Sequence, residues 1–502
     1  MSNSINRRQF IKNLSLLAAW LAVRPKIARA KQRGGLALKG APQNVVVLGG
    51  GLAGLSAGLE LKRAGHNVTI LEARKQPGGR CRTIRDFDDG LYAEAGPLSF
   101  PQSHEFTFGY ATDFGLPLRP AFTFGLDSIA VIQGNRFRID SAGEADIPLD
   151  LQPQERKAGV FGMIDLYLDS FMSEVGNPLR AGWPPDELAE IDQISLLQLL
   201  KNQGASDAAI DIIAASQLGI LGFGLDSISA MDGVVSEAVA FDPRFYEIAG
   251  GNDQLASALK KKVKKQFQKQ SVVRRIAQDA TSVTITYDSP DGTQTIVADR
   301  AICTLPFPIL RDIEISPPLS DQKQQAIQEL NWTPVTRTYQ QFRTRVWEQN
   351  GLSGYGITDL AIQNTYSPTA TQGGKRGILA SYAGGQRALD LGSMSEDDRQ
   401  SFVLRRMANV LVSSLNQQYE MGTSQIWQDE PFARGAFVYF EPGQMASMLP
   451  IAQQAEGRIH FAGEHTSAWH GWMNGALESG NRAAAEVNDA SVTETISLRS
   501  AS

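Results

Sequence analysis

Residues 44–73 read NVVVLGGGLAGLSAGLELKRAGHNVTILEA, and this stretch decides the fold of the chain. The apolar, β-branched run at 44–48 predicts a strand that is buried on both faces. The apolar spacing over 55–61 predicts a helix directly after it, and residues 66–71 predict a second strand. Strand, helix and strand in this order predict a βαβ unit and therefore a parallel sheet.

The turn between the first strand and the helix carries glycines at Gly49, Gly51 and Gly54. Glycines at this spacing permit a tight turn, close approach of the backbone to a pyrophosphate, and close packing of helix on strand. Phosphate charge would then lie at the helix N-terminus, where unpaired N–H groups point toward it. Glu72 ends the second strand, where a carboxylate can accept the hydroxyls of an adenosine ribose. The pattern predicts a dinucleotide-binding site.

Length and charge restrict the other functions that are open to the chain. With 502 residues, 48 Lys plus Arg and 53 Asp plus Glu, it has a formal net charge of −5. The length predicts several domains, and the charge gives no basic surplus for binding nucleic acid. Two cysteines, Cys81 and Cys303, are too few for a disulfide framework or a cysteine-rich zinc site. We expect no metal ion and no disulfide.

The N-terminus resembles an export signal. Arg7-Arg8 precedes the short apolar run Leu14 to Val23 and the small-x-small site Ala28-Arg29-Ala30. This order predicts a twin-arginine (Tat) signal peptide over residues 1–30, with the Tat machinery as a partner. The destination would be periplasmic or lumenal, with or without association with the membrane. The alternative is an uncleaved terminus that is either amphipathic or anchors the chain to a membrane.

Three further segments carry motifs of their own. Residues 77–80 read PGGR, residues 92–101 read YAEAGPLSFP, and residues 469–473 read WHGWM. On these segments the chain resembles the FAD-dependent amine oxidase family, which includes monoamine, polyamine and L-amino-acid oxidases. The second segment and His470-Gly471-Trp472 are most similar to the L-amino-acid oxidases. The matching blocks are Val45 to Thr83, Tyr92 to Leu116, Gly250 to Leu255, Ala301 to Pro306, Trp427 to Gly443 and Arg458 to Arg482.

The resemblance implies FAD as cofactor and a set of residues along it. A cysteine carries the flavin covalently in the mammalian monoamine oxidases, and this chain has Ala436 at that position, which implies a non-covalent FAD. With the glycines and the acid of the first motif, the implied cofactor residues are Gly49, Gly51, Gly54, Glu72, Arg74, Gly79, Arg80, Gly96, Pro97, Leu98, Val273, Trp427, Gly463, Glu464, Trp472 and Met473.

The resemblance also implies the chemistry, which is oxidative deamination of an L-amino acid or primary amine. A hydride passes from the amine-bearing carbon to flavin N5, and the imine hydrolyses to an oxo product and ammonia. O2, which yields hydrogen peroxide, or a quinone would be the final acceptor. In the family two aromatic side chains flank the amine, and here they fall at Trp472 and Phe437, with Tyr439 as an alternative second wall. The other functions left open are a carotenoid-type desaturase and a flavin-bound binding protein without turnover.

Two departures from the family bear on the substrate. Many L-amino-acid oxidases pair the substrate carboxylate with an arginine where this chain has Ser99, which cannot make a bidentate charged contact. The family lysine near N5 falls at Arg337, which is permanently charged and can itself hold a carboxylate. We hypothesise that Arg337 is a catalytic-site residue that replaces the missing anchor. The alternative is a surface arginine on an alternating strand.

The helix and strand patterns predict an α/β fold, and the resemblance implies an α+β substrate domain and the following division of the chain. The Rossmann-like FAD domain would be discontinuous, over 44–100, 246–312 and 450–490. A mixed-sheet substrate domain would take 101–150 and 313–449, and a helical lobe 151–245. The tail at 491–502 is small and polar, which predicts disorder. A homodimer is the default expectation for assembly.

Overall fold

The structure is a computed structural model, and it describes residues 35–500 apart from 123–124, 181 and 243. The predicted signal peptide at 1–30 therefore lies outside the described residues. Within the described ranges, each helix is either too short or too polar to cross a lipid bilayer.

Strands and helices alternate along most of the chain. The strands are β1 (Asn44–Leu48), β2 (Asn67–Glu72), β3 (Thr83–Ile84), β4 (Ala93–Glu94), β5 (Phe100–Pro101), β6 (Leu118–Pro120), β7 (Asp127–Ile132), β8 (Asn135–Ile139), β9 (Phe245–Ile248), β10 (Phe267–Lys269), β11 (Val272–Gln278), β12 (Val283–Ser289), β13 (Gly292–Ala298), β14 (Arg300–Cys303), β15 (Glu314–Ser316), β16 (Asn331–Trp332), β17 (Val335–Phe342), β18 (Leu352–Thr358), β19 (Asn364–Tyr366), β20 (Gly377–Gly384), β21 (Tyr419–Ile426), β22 (Val438–Tyr439) and β23 (Ile459–Phe461).

The helices of the described residues are α1 (Leu52–Ala64), α2 (Glu105–Asp113), α3 (Pro153–Glu174), α4 (Asp186–Ile191), α5 (Leu196–Asn202), α6 (Asp207–Ala215), α7 (Ala230–Ala240), α8 (Gln254–Lys262), α9 (Phe307–Leu310), α10 (Asp321–Glu329), α11 (Val346–Gln349), α12 (Gly385–Ser393), α13 (Glu396–Val410), α14 (Leu415–Gln418), α15 (Met445–Gln453) and α16 (Met473–Ser500).

A five-stranded parallel sheet carries the βαβ unit, with strand order β10-β2-β1-β14-β23. Residues 45–48 are at most 2% exposed, as expected for a strand covered on both faces. Helix α1 ends at Gly65, whose φ of 105° places it in the left-handed region and lets its N–H bond the carbonyls of Leu61 and Lys62. Helices α1 and α16 pack against each other beside this sheet. The α/β class that the sequence predicts is confirmed.

A seven-stranded mixed sheet forms the second main layer, in the order β21-β17-β20-β19-β18-β7-β8. Its strand β17 is buried along all eight residues, because other parts of the chain cover both faces. A separate four-stranded sheet has the order β13-β12-β11-β15. Helices α3 to α7 lie between residues 153 and 240 and pack on one another around the largest apolar cluster.

The domain boundaries stay predictions, although the elements group along the chain in a similar way. One difference is clear at the C-terminus. The sequence predicts a disordered tail over 491–502, whereas α16 continues as helix to Ser500. The small and polar residues after Asn488 have no strong helix breaker among them, so they extend a helix that is already formed.

Candidate active site

A long cavity of about 1320 Å³, its open mouth included, runs between the five-stranded and seven-stranded sheets. The β1–α1 turn forms part of one wall, and the start of α16 and the β17–β20 region form others. Its lining residues come from segments as far apart in the chain as 49–53, 271–273, 432–437 and 471–476. The cavity therefore suits a large, extended ligand.

The glycine turn exposes its backbone to the cavity. A Cβ at Gly51 would meet nothing within 4 Å, so the main chain there faces open space. Gly49 has a φ of +109°, which L side chains rarely adopt, and a Cβ there would lie 2.4 Å from Oγ1 of Thr304. The turn thus combines an unobstructed backbone with the N-terminus of α1, which is the arrangement that binds phosphate.

Glu72 is held rigidly beside this turn. Its Oε2 accepts the N–H of Gly50 at 2.7 Å, and its Oε1 accepts the N–H of Arg74 at 2.7 Å. Burial raises the pKa of Glu72, against the lowering effect of these two N–H groups. Each carboxylate oxygen has two lone pairs, so both retain acceptor capacity for hydroxyl groups in the cavity.

Two arginines of the first motif are paired with acids from the C-terminal half of the chain. Arg74 lies 2.8 Å from Glu430, and Nη1 of Arg80 lies 2.7 Å from Oε1 of Glu464. Arg80 also donates to the carbonyl oxygen of Ala436 at 2.9 Å. These pairs join the N-terminal and C-terminal walls of the cavity.

The other end of the cavity is aromatic. Trp472, Phe437 and Tyr382 all line it, and a Cβ at Gly471 would lie 3.7 Å from the ring of Phe437. The N–H of Gly471 donates to Oε2 of Glu464 at 2.7 Å, which fixes the residue next to Trp472. The two aromatic walls predicted from the sequence therefore lie on neighbouring segments of the same cavity.

Arg337 lies in the wall as a buried cation with a 5% exposed side chain. Its Nη1 donates to the carbonyl oxygens of Glu94 (3.2 Å), Ala95 (3.3 Å) and Gly96, and its guanidinium stacks 3.9 Å from the ring centre of Tyr382. Among the described residues, no carboxylate forms an ion pair with it. The alternative of a surface arginine is wrong, because β17 is covered on both faces.

The charge of Arg337 persists despite its burial. Desolvation acts to lower the pKa of the guanidinium, but the hydroxyls of Tyr382, Tyr366 and Tyr339 outweigh it and the pKa is raised. A buried charge without a counter-ion is costly in a protein interior. The cavity wall therefore presents a positive charge that an anionic ligand can neutralise.

The predicted residues fall into two groups by position. Those that line the cavity are Gly49, Gly51, Glu72, Arg74, Gly79, Arg80, Gly96, Pro97, Val273, Arg337, Trp427, Phe437, Gly463, Glu464, Trp472 and Met473. Gly54 lies behind the turn instead, and Leu98 turns its carbonyl oxygen to Nδ2 of Asn252 at 3.1 Å. Neither Ser99 nor Tyr439 is among the lining residues, and Tyr439 packs in the apolar core.

Sequence reasoning missed several lining residues. Tyr382 pairs in register with Arg337 across β20 and β17, a relationship that no linear motif reveals. The β14 end contributes Thr304, whose Oγ1 donates to the carbonyl oxygen of Leu48 at 2.7 Å. Phe432 lies under Arg74, with the guanidinium carbon 5.6 Å from the ring centre. The apolar run before Thr304 was the signal that could have identified this residue. It predicts a strand parallel to β1, and such a strand ends at the same edge of the sheet as the glycine turn.

Comparison with known proteins identifies the class. The model of the flavin-containing amine oxidoreductase family matches residues 52–488. The chain is 34% identical over 471 residues to the protein YobN of Bacillus subtilis (strain 168), provisionally named an L-amino-acid oxidase, with 91% of this chain and 97% of that protein covered. This chain belongs to the flavin-containing amine oxidoreductase family.

More distant relatives agree with this placement. The L-amino-acid oxidase of Vipera ammodytes ammodytes is 29% identical over 477 residues, with 91% of this chain and 95% of that protein covered. A redesigned putrescine oxidase has a TM-score of 0.77 at 24% identity, with coverage of 89% and 99%. The cyclohexylamine oxidase of Brevibacterium oxydans has a TM-score of 0.75 at 19% identity. At these identities the two structures show a shared fold.

The residues present fit the FAD that the family uses. The unobstructed backbone at Gly51 and the N-terminus of α1 suit the diphosphate, and the fixed carboxylate of Glu72 suits the ribose. Val273 lines the same cavity, and the methyl side chain of Ala436 has no nucleophilic atom that could bond to a flavin. The protein is thus an FAD-dependent amine or amino-acid oxidoreductase.

Proposed function

We propose that the chain deaminates L-amino acids, with Arg337 as the anchor for their carboxylate. The observation that carries this proposal is the buried, unneutralised cation in the wall that also holds Trp472 and Phe437. An amine without a carboxylate would leave this charge uncompensated. An α-amino acid would bring one negative charge to it, with the amine between the aromatic side chains.

The main contribution of the protein to the reaction is to orient the substrate. When bound, FAD accepts the hydride that leaves the amine-bearing carbon. Trp472 and Phe437 would hold the amine between them and exclude water. Glu72 and Glu464 are the carboxylates among the described lining residues, and both already accept hydrogen bonds from the protein. A substrate whose amine arrives neutral needs no further base, because its own lone pair assists the loss of hydride.

Replacement of Arg337 by methionine tests the anchor. We expect Arg337→Met to raise KM for L-amino acids about 10- to 100-fold, because a hydrogen bond to a charged group contributes about 1.5–3 kcal/mol. The matching decarboxylated amines should change little. The measurement is a panel of L-amino acids and their amines, assayed for hydrogen peroxide and for quinone reduction, which also identifies the acceptor.

Two further variants make this result interpretable. Arg343→Met removes an exposed arginine just beyond the same strand and should leave every KM unchanged. Arg337→Lys keeps the charge but loses the planar contacts, so it should retain part of the preference for amino acids. Equal KM changes for amino acids and amines in Arg337→Met would contradict the anchor while leaving amine oxidation intact.

The export route is a separate proposal. We propose that residues 1–30 direct the folded protein through the Tat machinery to a periplasmic or lumenal space, supported by the paired arginines and the short apolar run of that segment. Replacement of Arg7 and Arg8 by lysine should retain the protein in the cytoplasmic fraction. Unchanged export in the double variant would contradict the route.

We also propose that the protein forms a homodimer. Light scattering of the purified protein gives its mass and tests this assembly.

A further inference from the structure

Two histidines connect the segment of Trp472 to one helix. The ring of His104 meets the indole edge to face, with ring centres 4.9 Å apart. His470 precedes Trp472 by two residues, and its Nε2 lies 2.6 Å from Oδ1 of Asp232. His104 donates from Nε2 to the carbonyl oxygen of Val239 at 2.9 Å. Asp232 and Val239 both belong to α7.

The contact between His470 and Asp232 is a fully buried ion pair, with side chains 1% and 0% exposed. Burial acts to lower the pKa of His470, but the charge and hydrogen bond of Asp232 outweigh it, and Glu464 adds to the rise. The pKa of His470 is therefore raised, which favours the protonated ring beside the carboxylate. His104 differs, since burial lowers its pKa to about 4 and it donates as a neutral ring.

Asp232 is itself fixed by the helix end. The hydroxyl of Ser229 caps α7 and accepts the N–H of Asp232 at 3.3 Å. Oδ2 of Asp232 accepts the N–H of Phe440 at 2.9 Å, three residues after the other aromatic wall at Phe437. A carboxylate in the first turn is also favoured by the helix dipole. One side chain thus contacts both segments that carry the aromatic walls.

We propose that α7 positions the indole of Trp472, through Asp232 acting on His470 and through Val239 acting on His104. Asp232 and both histidines are positioning residues, because none of the three lines the cavity whereas Trp472 does. The segment 470–472 is then held at three points, since Gly471 is bonded to Glu464. This inference rests on the proposed role of Trp472 as a wall for the substrate amine. As a consequence α7, a helix of the 153–240 segment, sets the geometry of the aromatic end of the cavity.

The test is the rate of flavin bleaching in oxygen-free holoenzyme mixed with a saturating L-amino acid. We expect Asp232→Asn to lower this rate per bound flavin about tenfold or more, because a misplacement of about 1 Å can cost about 100-fold. Flavin content should stay close to that of the wild type. His470→Gln should give a similar loss, and the double variant should lose little more than either single variant.

Controls separate positioning from general stability. Asp226→Asn makes the same change at an exposed position shortly before α7 and should bleach at the wild-type rate. If Asp232→Asn binds less flavin but bleaches at the wild-type rate per flavin, the role is structural and the inference is overturned. Should Asp232→Asn fail to fold, His104→Phe keeps a ring against the indole and loses only the bond to Val239; a wild-type rate there would overturn the inference.

A readout without turnover distinguishes this inference from the proposed function. A Trp472→Phe variant identifies by difference the contribution of Trp472 to the near-ultraviolet circular dichroism of the holoenzyme. We expect Asp232→Asn to change that contribution even if no amino acid is a substrate. An unchanged contribution of Trp472 would overturn the positioning role, whereas an absence of bleaching in the wild type would contradict only the proposed function.

Discussion

The substitution Gly54→Ala is expected to remove bound flavin and to destabilise the protein by about 3 kcal/mol or more, which is the upper end of the cost of overpacking. A Cβ there would lie 1.9 Å from the carbonyl oxygen of Gly49, an atom of the backbone that no side-chain rotation can move. Helix α1 would have to separate from β1, and the phosphate-binding turn would open. Flavin absorbance of the purified variant and its thermal denaturation measure both effects.

Gly51→Ala is the matched control, because it adds the same methyl group on the other side of the turn. A Cβ at Gly51 would meet nothing within 4 Å, and its φ of −72° is ordinary for alanine. The variant should fold with the stability of the flavin-free wild type but bind FAD more weakly, since the methyl group enters the cavity. A Gly54→Ala protein that kept its flavin and its melting temperature would contradict the close packing of this turn.

The second large effect is expected for Glu464→Leu. This change leaves Arg80 without its carboxylate and the N–H of Gly471 without an acceptor. Loss of one partner of a largely buried pair costs about 3–5 kcal/mol, and the 21% exposure of Arg80 places the expected loss near the lower limit. Because Gly471 adjoins Trp472, the rate of flavin bleaching per bound flavin should also fall. Chemical denaturation and stopped-flow absorbance test the two parts.

The control for Glu464 is an ion pair of similar length on the surface. Glu314 lies 2.8 Å from Arg275, but the two side chains are 65% and 39% exposed. Exposed pairs contribute about 0–1 kcal/mol, so Glu314→Leu should change stability little. A similar loss in both variants would indicate that apolar substitution, not the broken pair, is responsible.

The parts of the site that the sequence predicted are those encoded within short segments. The strand, turn and helix around Gly49 and Gly51 depend on neighbouring residues, so local spacing was enough to predict them. Trp472 and Phe437 came from motifs and do line the cavity. The prediction of a disordered tail had only composition to support it, and the structure continues the helix there.

The parts that could not be predicted depend on distant pairing. Arg80 and Glu464 are 384 residues apart, and only the folded chain brings them together. Arg337 lies in a strand with many polar residues, so its sequence pattern allowed an exposed position. Burial of both strand faces became visible only with the full arrangement of the sheets. The register that sets Tyr382 opposite Arg337 is likewise a property of the sheet.

The order of strands in the parallel sheet restricts when this protein can fold. Strand β1 at 44–48 pairs with β14 at 300–303, which in turn pairs with β23 at 459–461. During synthesis the ribosome must release more than four hundred residues before the last of these pairings can form. Contacts between such distant residues also form slowly, because long loops must close first. Completion of the nucleotide-binding sheet is therefore a late event, which leaves the newly made chain dependent on protection from aggregation until its C-terminal part emerges.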